Sequence, residues 1–485
     1  MRRAVTYDLL VIGGGINGAG IARDAAGRGL ATVLVERRDL ASATSSASSK
    51  LIHGGLRYLE QFEFRLVHEA LAEREILLRV AGHLTLATQF IMPHVPSLRP
   101  RWMIRVGLFL YDHLARRSVL PASHAVRLDR PPYSSGLRAG LAHGFAYADC
   151  RVDDARLVVA NAVDAARRGA RVLVRTECLG ARVEAGVWRA KLSSGETLSA
   201  RAVVNAAGPW VKEVLSERLG HSSADTVRLV KGSHIVVPKL YEGEHAFILQ
   251  NDDRRVVFLI PYEQRFTLIG TTDVPVDQPA AAAPSAQEVD YLCRAANRYV
   301  ERKLRADEVA WRYAGVRPLY DDGSRDPSDV TRDYTLRLDE SAGAPVLSVY
   351  GGKITTYRRL AEHALERLAG HFPSARSAWT ADVPLPGSAF ASRAEARQAV
   401  LARYRALPAE VVESVFRRHG AEAEKVLGDG VVGEHFGAGL TERELRYFAE
   451  HEWAQSAEDV LWRRTKCGLH MSDAQRARVA EAMCR

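Results

Sequence analysis

At 485 residues the chain is longer than one compact core accommodates, so two or three domains are expected. Apolar residues make up 47% and charged residues 26%, the balance of an ordinary globular protein, which excludes disordered and fibrous classes. The net charge of +9 leaves an anionic substrate, an anionic membrane surface and nucleic acid open as partners, and charge alone does not choose among them.

The first element is the apolar run Asp8 to Ile12, which predicts a buried parallel strand. Gly13-Gly14-Gly15-Ile16-Asn17-Gly18 follows. Gly13 permits the tight turn, Gly15 lets the backbone approach a pyrophosphate, and Gly18 lets the next helix pack closely on the strand. Amides at that helix start face the diphosphate, and Glu36, closing the second strand, suits the ribose hydroxyls. Strand, glycines, helix, strand and acid in this order predict a dinucleotide-binding unit.

A Ser/Ala-rich segment from Ala41 to Ser49, containing Ser45, runs into Lys50-Leu51-Ile52-His53-Gly54-Gly55-Leu56-Arg57-Tyr58, where small residues suggest backbone close to a ligand. Phe62 to Val80 has helical spacing, and a link through Pro93, Pro96 and Pro100 leads to a second helix from Trp102 to Leu114. Asp153-Asp154 opens a further helix that ends near Gly169. Arg171 to Val204 alternates around turns at Gly186 and Gly195, which reads as an antiparallel meander, ending in Asn205-Ala206-Ala207-Gly208 against the nucleotide. Val227 to Leu338 is strand-rich, as expected of a sheet covering the substrate. At Val346 to Thr356 the strand-glycine-helix pattern returns, with the helix running to about Leu368, so one domain is built from separated segments. Beyond Pro384 and Pro386 the chain reads as an appended helical domain.

Five scattered cysteines, Cys150, Cys178, Cys293, Cys467 and Cys484, form no C-x-x-C pair, so neither a disulfide framework nor a metal site is indicated and a reducing cytosol fits best. Met1-Arg2-Arg3 leads directly into the first strand, leaving no room for a signal peptide, and no apolar stretch has the length of a membrane span. Any membrane attachment is expected to be peripheral.

With these residues in hand, the chain resembles the FAD-dependent glycerol-3-phosphate dehydrogenases, in particular the bacterial aerobic, membrane-associated type. The motifs that carry the resemblance are Gly13 to Gly20, Ser45 to Tyr58, Lys231-Gly232-Ser233-His234, Gly270-Thr271-Thr272-Asp273, Gly315-Val316-Arg317-Pro318-Leu319, Thr331-Arg332-Asp333-Tyr334 and Gly351-Gly352-Lys353. The resemblance implies an α/β fold: a glutathione-reductase-like, Rossmann-type FAD domain (about 1–75, 145–226 and 340–385), an antiparallel-sheet cap that binds substrate (about 76–144 and 227–339) and a C-terminal helical domain (386–485). It further implies noncovalent FAD, sn-glycerol 3-phosphate as substrate, a membrane quinone as acceptor, a homodimer, and a cytoplasmic protein held peripherally on the inner face of the cell membrane. The chain stops at Arg485, so the calcium-binding extension of mitochondrial relatives is not expected.

Oxidising a secondary alcohol beside a phosphate requires hydride acceptance, proton removal and cations for a dianion. The planar donors of arginine suit phosphate best. By resemblance Arg57, Tyr58, Thr272, Arg317, Arg332 and Lys353 surround the substrate, Arg317 being also catalytic; each arginine has the alternative of a structural ion pair, and Lys353 that of touching the flavin. His234 is the first choice of general base, with a purely structural histidine as the alternative, and His53 is its rival, although its loop suggests that it lines the flavin. Gly13, Gly14, Gly15, Asn17, Gly18, Glu36, Ser45, Ser49, Lys50, His53, Gly54, Gly55, Ala207 and Gly208 are the cofactor-binding candidates from the first half of the chain. Gly351, Gly352, Lys353, Ile354 and Thr355 complete them, with the helix start at Lys353 aimed at the developing negative charge of the reduced ring.

Arginines mixed with Trp102, Phe109 and Leu110 at helical spacing suit a lipid interface, while the same helix also suits a core or a dimer contact. Competing readings are a glycerol-3-phosphate oxidase using O2 and an amine-oxidising flavoprotein of the same superfamily. A nucleic-acid-associated flavoprotein is the third, weakened by the lack of a long basic block or RNA-binding motif; no nucleic-acid partner is expected.

Overall fold

The computed structural model describes residues 6–95, 98–221, 223, 225–253, 255–280, 282–321 and 333–484. Two mixed sheets organise it. In the first, strands Thr335–Asp339, Val346–Tyr350, Thr197–Asn205, Thr6–Ile12, Thr32–Val35 and Arg171–Leu173 lie in that order. All neighbours are parallel except the first pair. Strand Thr6–Ile12 is central and buried on both faces, which is why it reads as an unbroken apolar run. Leu9 and Val11 pack under helices Ile16–Gly27, Asp154–Arg167 and Tyr357–Arg367. Leu10 and Ile12 point the other way, against Trp188 and Ala190 of the antiparallel strands Cys178–Glu184 and Val187–Leu192.

That meander matches its prediction except at the start. Arg171–Leu173 pairs parallel with Thr32–Val35 and so extends the nucleotide sheet.

Among the described residues the second sheet has ten strands, nearly all antiparallel. Its long strand Val227–Pro238 is flanked by Phe266–Gly270 and by Trp311–Tyr320. Helix Ala286–Asn297, opened by a capping box at Ser285 and Glu288, covers one face through Val289, Leu292 and Ala296. The other face packs on helices Phe64–Val80 and Arg101–His113 through Val67, Leu71, Ile104, Leu108 and Tyr111. Two boundaries differ from expectation. Strand His143–Val152 spans the expected boundary at 145 and belongs to the second sheet, paired with Thr85–Pro93, and Leu51–Ile52 joins the same sheet. Sheet membership of buried strands is decided by their partners, which composition does not reveal.

The C-terminal region is helical as expected, with one short hairpin, His435–Gly437 and Leu440–Thr441. It docks through buried charge. Asp39, in the loop after Glu36, accepts from Arg463 Nε (2.6 Å) and from both terminal nitrogens of Arg464 (2.7 and 2.8 Å). Arg156 pairs with Glu452, and Trp311 stacks on Trp462. Among the described residues no helix is long and apolar enough to cross a membrane.

Candidate active site

One long cleft runs between the two sheets, from Glu36, Arg37 and Cys178 at one end to His234, Thr271 and Arg317 at the other. At the nucleotide end Gly13 has φ +114°, and a side chain there would meet the Ala206 carbonyl oxygen at 2.5 Å. A Cβ at Gly18 would stand 1.9 Å from the Gly13 carbonyl oxygen, so only glycine lets the helix sit this close. Glu36 accepts from the Gly14 amide (2.7 Å) and the Arg38 amide (2.8 Å), one on each oxygen, leaving lone pairs for ribose hydroxyls. Burial pushes its pKa up, against the pull of those two amides. Ser45 Oγ accepts from the Ile16 amide at the helix start (2.9 Å).

Across the cleft, Gly351 and Gly352 both have positive φ, and Asn17 Nδ2 donates to the Gly351 carbonyl. Among the described residues Asn17 Oδ1 is buried without a partner, as a group awaiting a ligand donor would be. Lys353, Ile354 and Thr355 line the cleft with them, as do Gly15, Ser49, His53, Ala207 and Gly208. Thr355 Oγ1 accepts from the His53 amide (3.3 Å), joining the two walls. The helix expected to begin at Lys353 begins with a single 3-10 turn, Ile354–Thr356, before helix Tyr357–Arg367. Glycine-walled backbone, a ribose-type acid and an orphaned amide oxygen fit a dinucleotide along this cleft.

Five of the sequence candidates for cofactor contact stand behind the wall instead. The Gly14 amide is bound to Glu36, and Gly18 serves helix packing. Lys50 is an interior ion pair, its ammonium held by Asp154 (2.8 Å) and the Ser46 carbonyl (2.9 Å), with burial lowering its pKa. The Gly54 amide donates to the buried Tyr111 hydroxyl (2.8 Å). Gly55, at φ +76°, lets the Tyr58 ring fold back over it.

At the other end, His234 and Arg317 come from the neighbouring strands Val227–Pro238 and Trp311–Tyr320, with Arg317 facing Val230 in register. Each side chain packs over a glycine of a neighbouring strand. A Cβ at Gly270 would stand 2.0 Å from His234 Cδ2, and one at Gly232 would stand 2.4 Å from Arg317 Nη2. His234 Nε2 meets Ser49 Oγ at 2.8 Å, its ring stacks on Tyr313, and Nδ1 is buried without a partner among the described residues. Burial, with Lys50 and Arg317 nearby, holds its pKa down at about 3, so the imidazole is neutral and ready to take a proton but weakly basic.

Arg317 donates to the Thr272 carbonyl (2.9 Å) and pairs with Asp273 (2.8 Å). Lys353 Nζ lies 4.0 Å from the Tyr58 ring centre, placing both at the cleft. Thr272 is turned away, its hydroxyl donating to Glu288, and Thr271 lines the cleft instead. Arg57 is half-buried on the turn Leu56–Gln61 and is not among the cleft-lining residues. Arg332 lies outside the described residues. Sequence reasoning passed over Arg37 and Trp210, which stack at 4.3 Å at the nucleotide end. Their signal was the arginine immediately after Glu36 and the tryptophan after Gly208-Pro209.

The fold and site together define a dinucleotide-binding α/β protein whose second sheet lines one end of the cofactor cleft. The chain belongs to the FAD dependent oxidoreductase family, whose model matches residues 8–358, followed by a match to the C-terminal domain of alpha-glycerophosphate oxidase over residues 378–484. It is 53% identical to a glycerol-3-phosphate dehydrogenase of Pseudomonas aeruginosa, over 99% of this chain and 95% of that protein. It is 49% identical to a D-erythritol 1-phosphate dehydrogenase of Brucella abortus, over 99% and 98%. The structure of a glycerol-3-phosphate dehydrogenase from Bacillus halodurans complexed with FAD superposes with a TM-score of 0.73 at 28% identity, covering 98% of this chain and 93% of that one.

Proposed function

We propose that this enzyme oxidises sn-glycerol 3-phosphate to dihydroxyacetone phosphate. The observation that carries the reading is that Arg317, Lys353 and His234 all line the cofactor cleft, in a chain whose relatives at this identity act on polyol phosphates by name. Arg317 and Lys353 hold the phosphate dianion. The guanidinium leaves its partner Asp273 in part to present two parallel donors to phosphate oxygens. His234 takes the C2 hydroxyl proton at Nε2, the nitrogen beside Ser49. Ser49 and the Tyr313 ring fix the plane of that imidazole before substrate arrives. When bound, FAD would supply the two-electron chemistry by taking the C2 hydrogen as a hydride, with a membrane quinone as the final acceptor.

The enzyme is further proposed to work as a homodimer on the cytoplasmic face of the membrane, held by helix Arg101–His113. The helix turns Ile104, Leu108 and Tyr111 inward and leaves Trp102, Val106 and Phe109 69%, 52% and 60% exposed. Phe62, 79% exposed, belongs to the turn region this helix packs on. An apolar outer face flanked by arginines suits anionic lipid.

An anaerobic titration of the yellow protein tests the substrate. Bleaching of the flavin by sn-glycerol 3-phosphate is expected. Bleaching by D-erythritol phosphate alone would move the substrate to the longer polyol, and peroxide release in air without added acceptor would favour an oxidase.

A further inference from the structure

Beneath the cap end of the cleft lies a carboxylate that the reaction itself does not use. Glu288 is buried at the first turn of helix Ala286–Asn297, behind strand Val227–Pro238. Its Oε1 accepts from the Ser233 hydroxyl (2.8 Å) and the Thr272 hydroxyl (2.8 Å). Its Oε2 accepts from the Ser285 amide (2.9 Å) and pairs with the Lys231 ammonium (2.8 Å). A carboxylate offers about four lone-pair sites, and here all are taken. Three of the donors belong to the site's own framework: Lys231 and Ser233 precede His234 on one strand, and Thr272 follows the glycine against which the His234 ring packs. Thr272 also accepts from the Ser233 amide through its hydroxyl (2.9 Å), and its carbonyl receives Arg317 Nη2 (2.9 Å).

We propose that Glu288 is a positioning residue for the substrate-anion site, fixing the Thr272 carbonyl and thereby the direction of the Arg317 guanidinium. This rests on the reading of Arg317 as the phosphate anchor. A helix on the far side of the sheet thus sets the aim of a side chain in the cleft, through one carboxylate and one turn. Glutamine is a poor replacement despite its shape. It offers one acceptor oxygen and brings an NH2 that faces either the Lys231 ammonium and Ser285 amide, both donors, or hydroxyls already committed.

The test is a double-mutant cycle with Arg317. Misaiming a substrate clamp by a fraction of an ångström costs roughly tenfold to a hundredfold, so Glu288→Gln is expected to raise the KM for sn-glycerol 3-phosphate by that factor while FAD content is kept. Thr272→Val keeps the shape and removes both the bond to Glu288 and the acceptor of the Ser233 amide; it is expected to move KM the same way, and it carries the test if Glu288→Gln fails to fold. On an Arg317→Ala background, Glu288→Gln is expected to add less than about twofold, because coupled residues are not additive. A lowered melting temperature with unchanged KM in both single variants would overturn the proposal. So would an equal KM factor with and without Arg317. If Arg317→Ala alone leaves KM unchanged, the phosphate-anchor reading fails, and the proposal with it.

Discussion

Asn17 and Gly351, 334 residues apart in the chain, meet across the cofactor cleft, where the Asn17 side-chain amide donates to the Gly351 carbonyl at 3.3 Å. The two glycine turns recognised separately in the sequence are therefore the facing walls of one site. Each wall depends on backbone passing where no side chain fits.

Gly18 is the strictest of these positions. Gly18→Ala would drive a methyl into the Gly13 carbonyl at 1.9 Å and push the helix from the strand. The expected result is protein purified with little or no flavin and a lowered melting temperature. A normal ratio of flavin absorbance to protein absorbance would refute it.

Removing the Arg317 guanidinium is expected to separate substrate from cofactor. Arg317→Ala should keep its yellow colour and lose roughly a hundredfold or more in kcat/KM, about 2.7 kcal/mol of transition-state stabilisation. Steady-state kinetics at saturating acceptor give the answer, and unchanged kcat/KM removes Arg317 from the site.

His234 carries two expectations. His234→Ala should slow flavin reduction in a single turnover while substrate binding is largely kept, and a normal reduction rate would clear it of the base role. In stability, a histidine with a folded pKa of about 3 against the usual 6.5 binds its proton more readily when unfolded. Its contribution is present above about pH 6.5 and is lost as pH falls toward 3. Wild type should therefore lose more melting temperature between pH 7 and pH 4 than His234→Gln does, and equal losses would count against a buried neutral imidazole.

Asp39 ties the nucleotide loop to the C-terminal domain. Asp39→Ala leaves Arg464, which is fully buried, without its carboxylate, and stranding a buried charge costs about 3–5 kcal/mol. A large fall in unfolding midpoint together with weaker flavin retention is expected, because Glu36 lies on the same loop. Retained stability would mean that Glu452, through its carbonyl and its carboxylate, satisfies Arg464.

Helix Arg101–His113 is tested apart from catalysis. Trp102→Ser with Phe109→Ser removes exposed apolar side chains only, so flavin reduction by substrate should be unchanged while co-sedimentation with anionic vesicles falls. Undiminished co-sedimentation would reassign the face to another contact.

What the sequence by itself determined was local. Strand, Gly13, Gly15, Gly18, helix and Glu36 lie within about 30 consecutive residues, and their spacing alone dictates the turn, the close approach and the ribose acid. The helices Phe64–Val80, Arg101–His113 and Asp154–Arg167 were legible for the same reason, since their periodicity is written within each segment. Tertiary structure decided everything that depends on which strand lies beside which. It placed His143–Val152 and Leu51–Ile52 in the cap sheet, turned Thr272 toward Glu288 and left Thr271 in the cleft, and buried Lys50 against Asp154. It also set Gly232 and Gly270 against the side chains they make room for. A side chain's direction in a sheet follows from register, and register is set by hydrogen bonds between segments far apart in the chain, so no local pattern carries it.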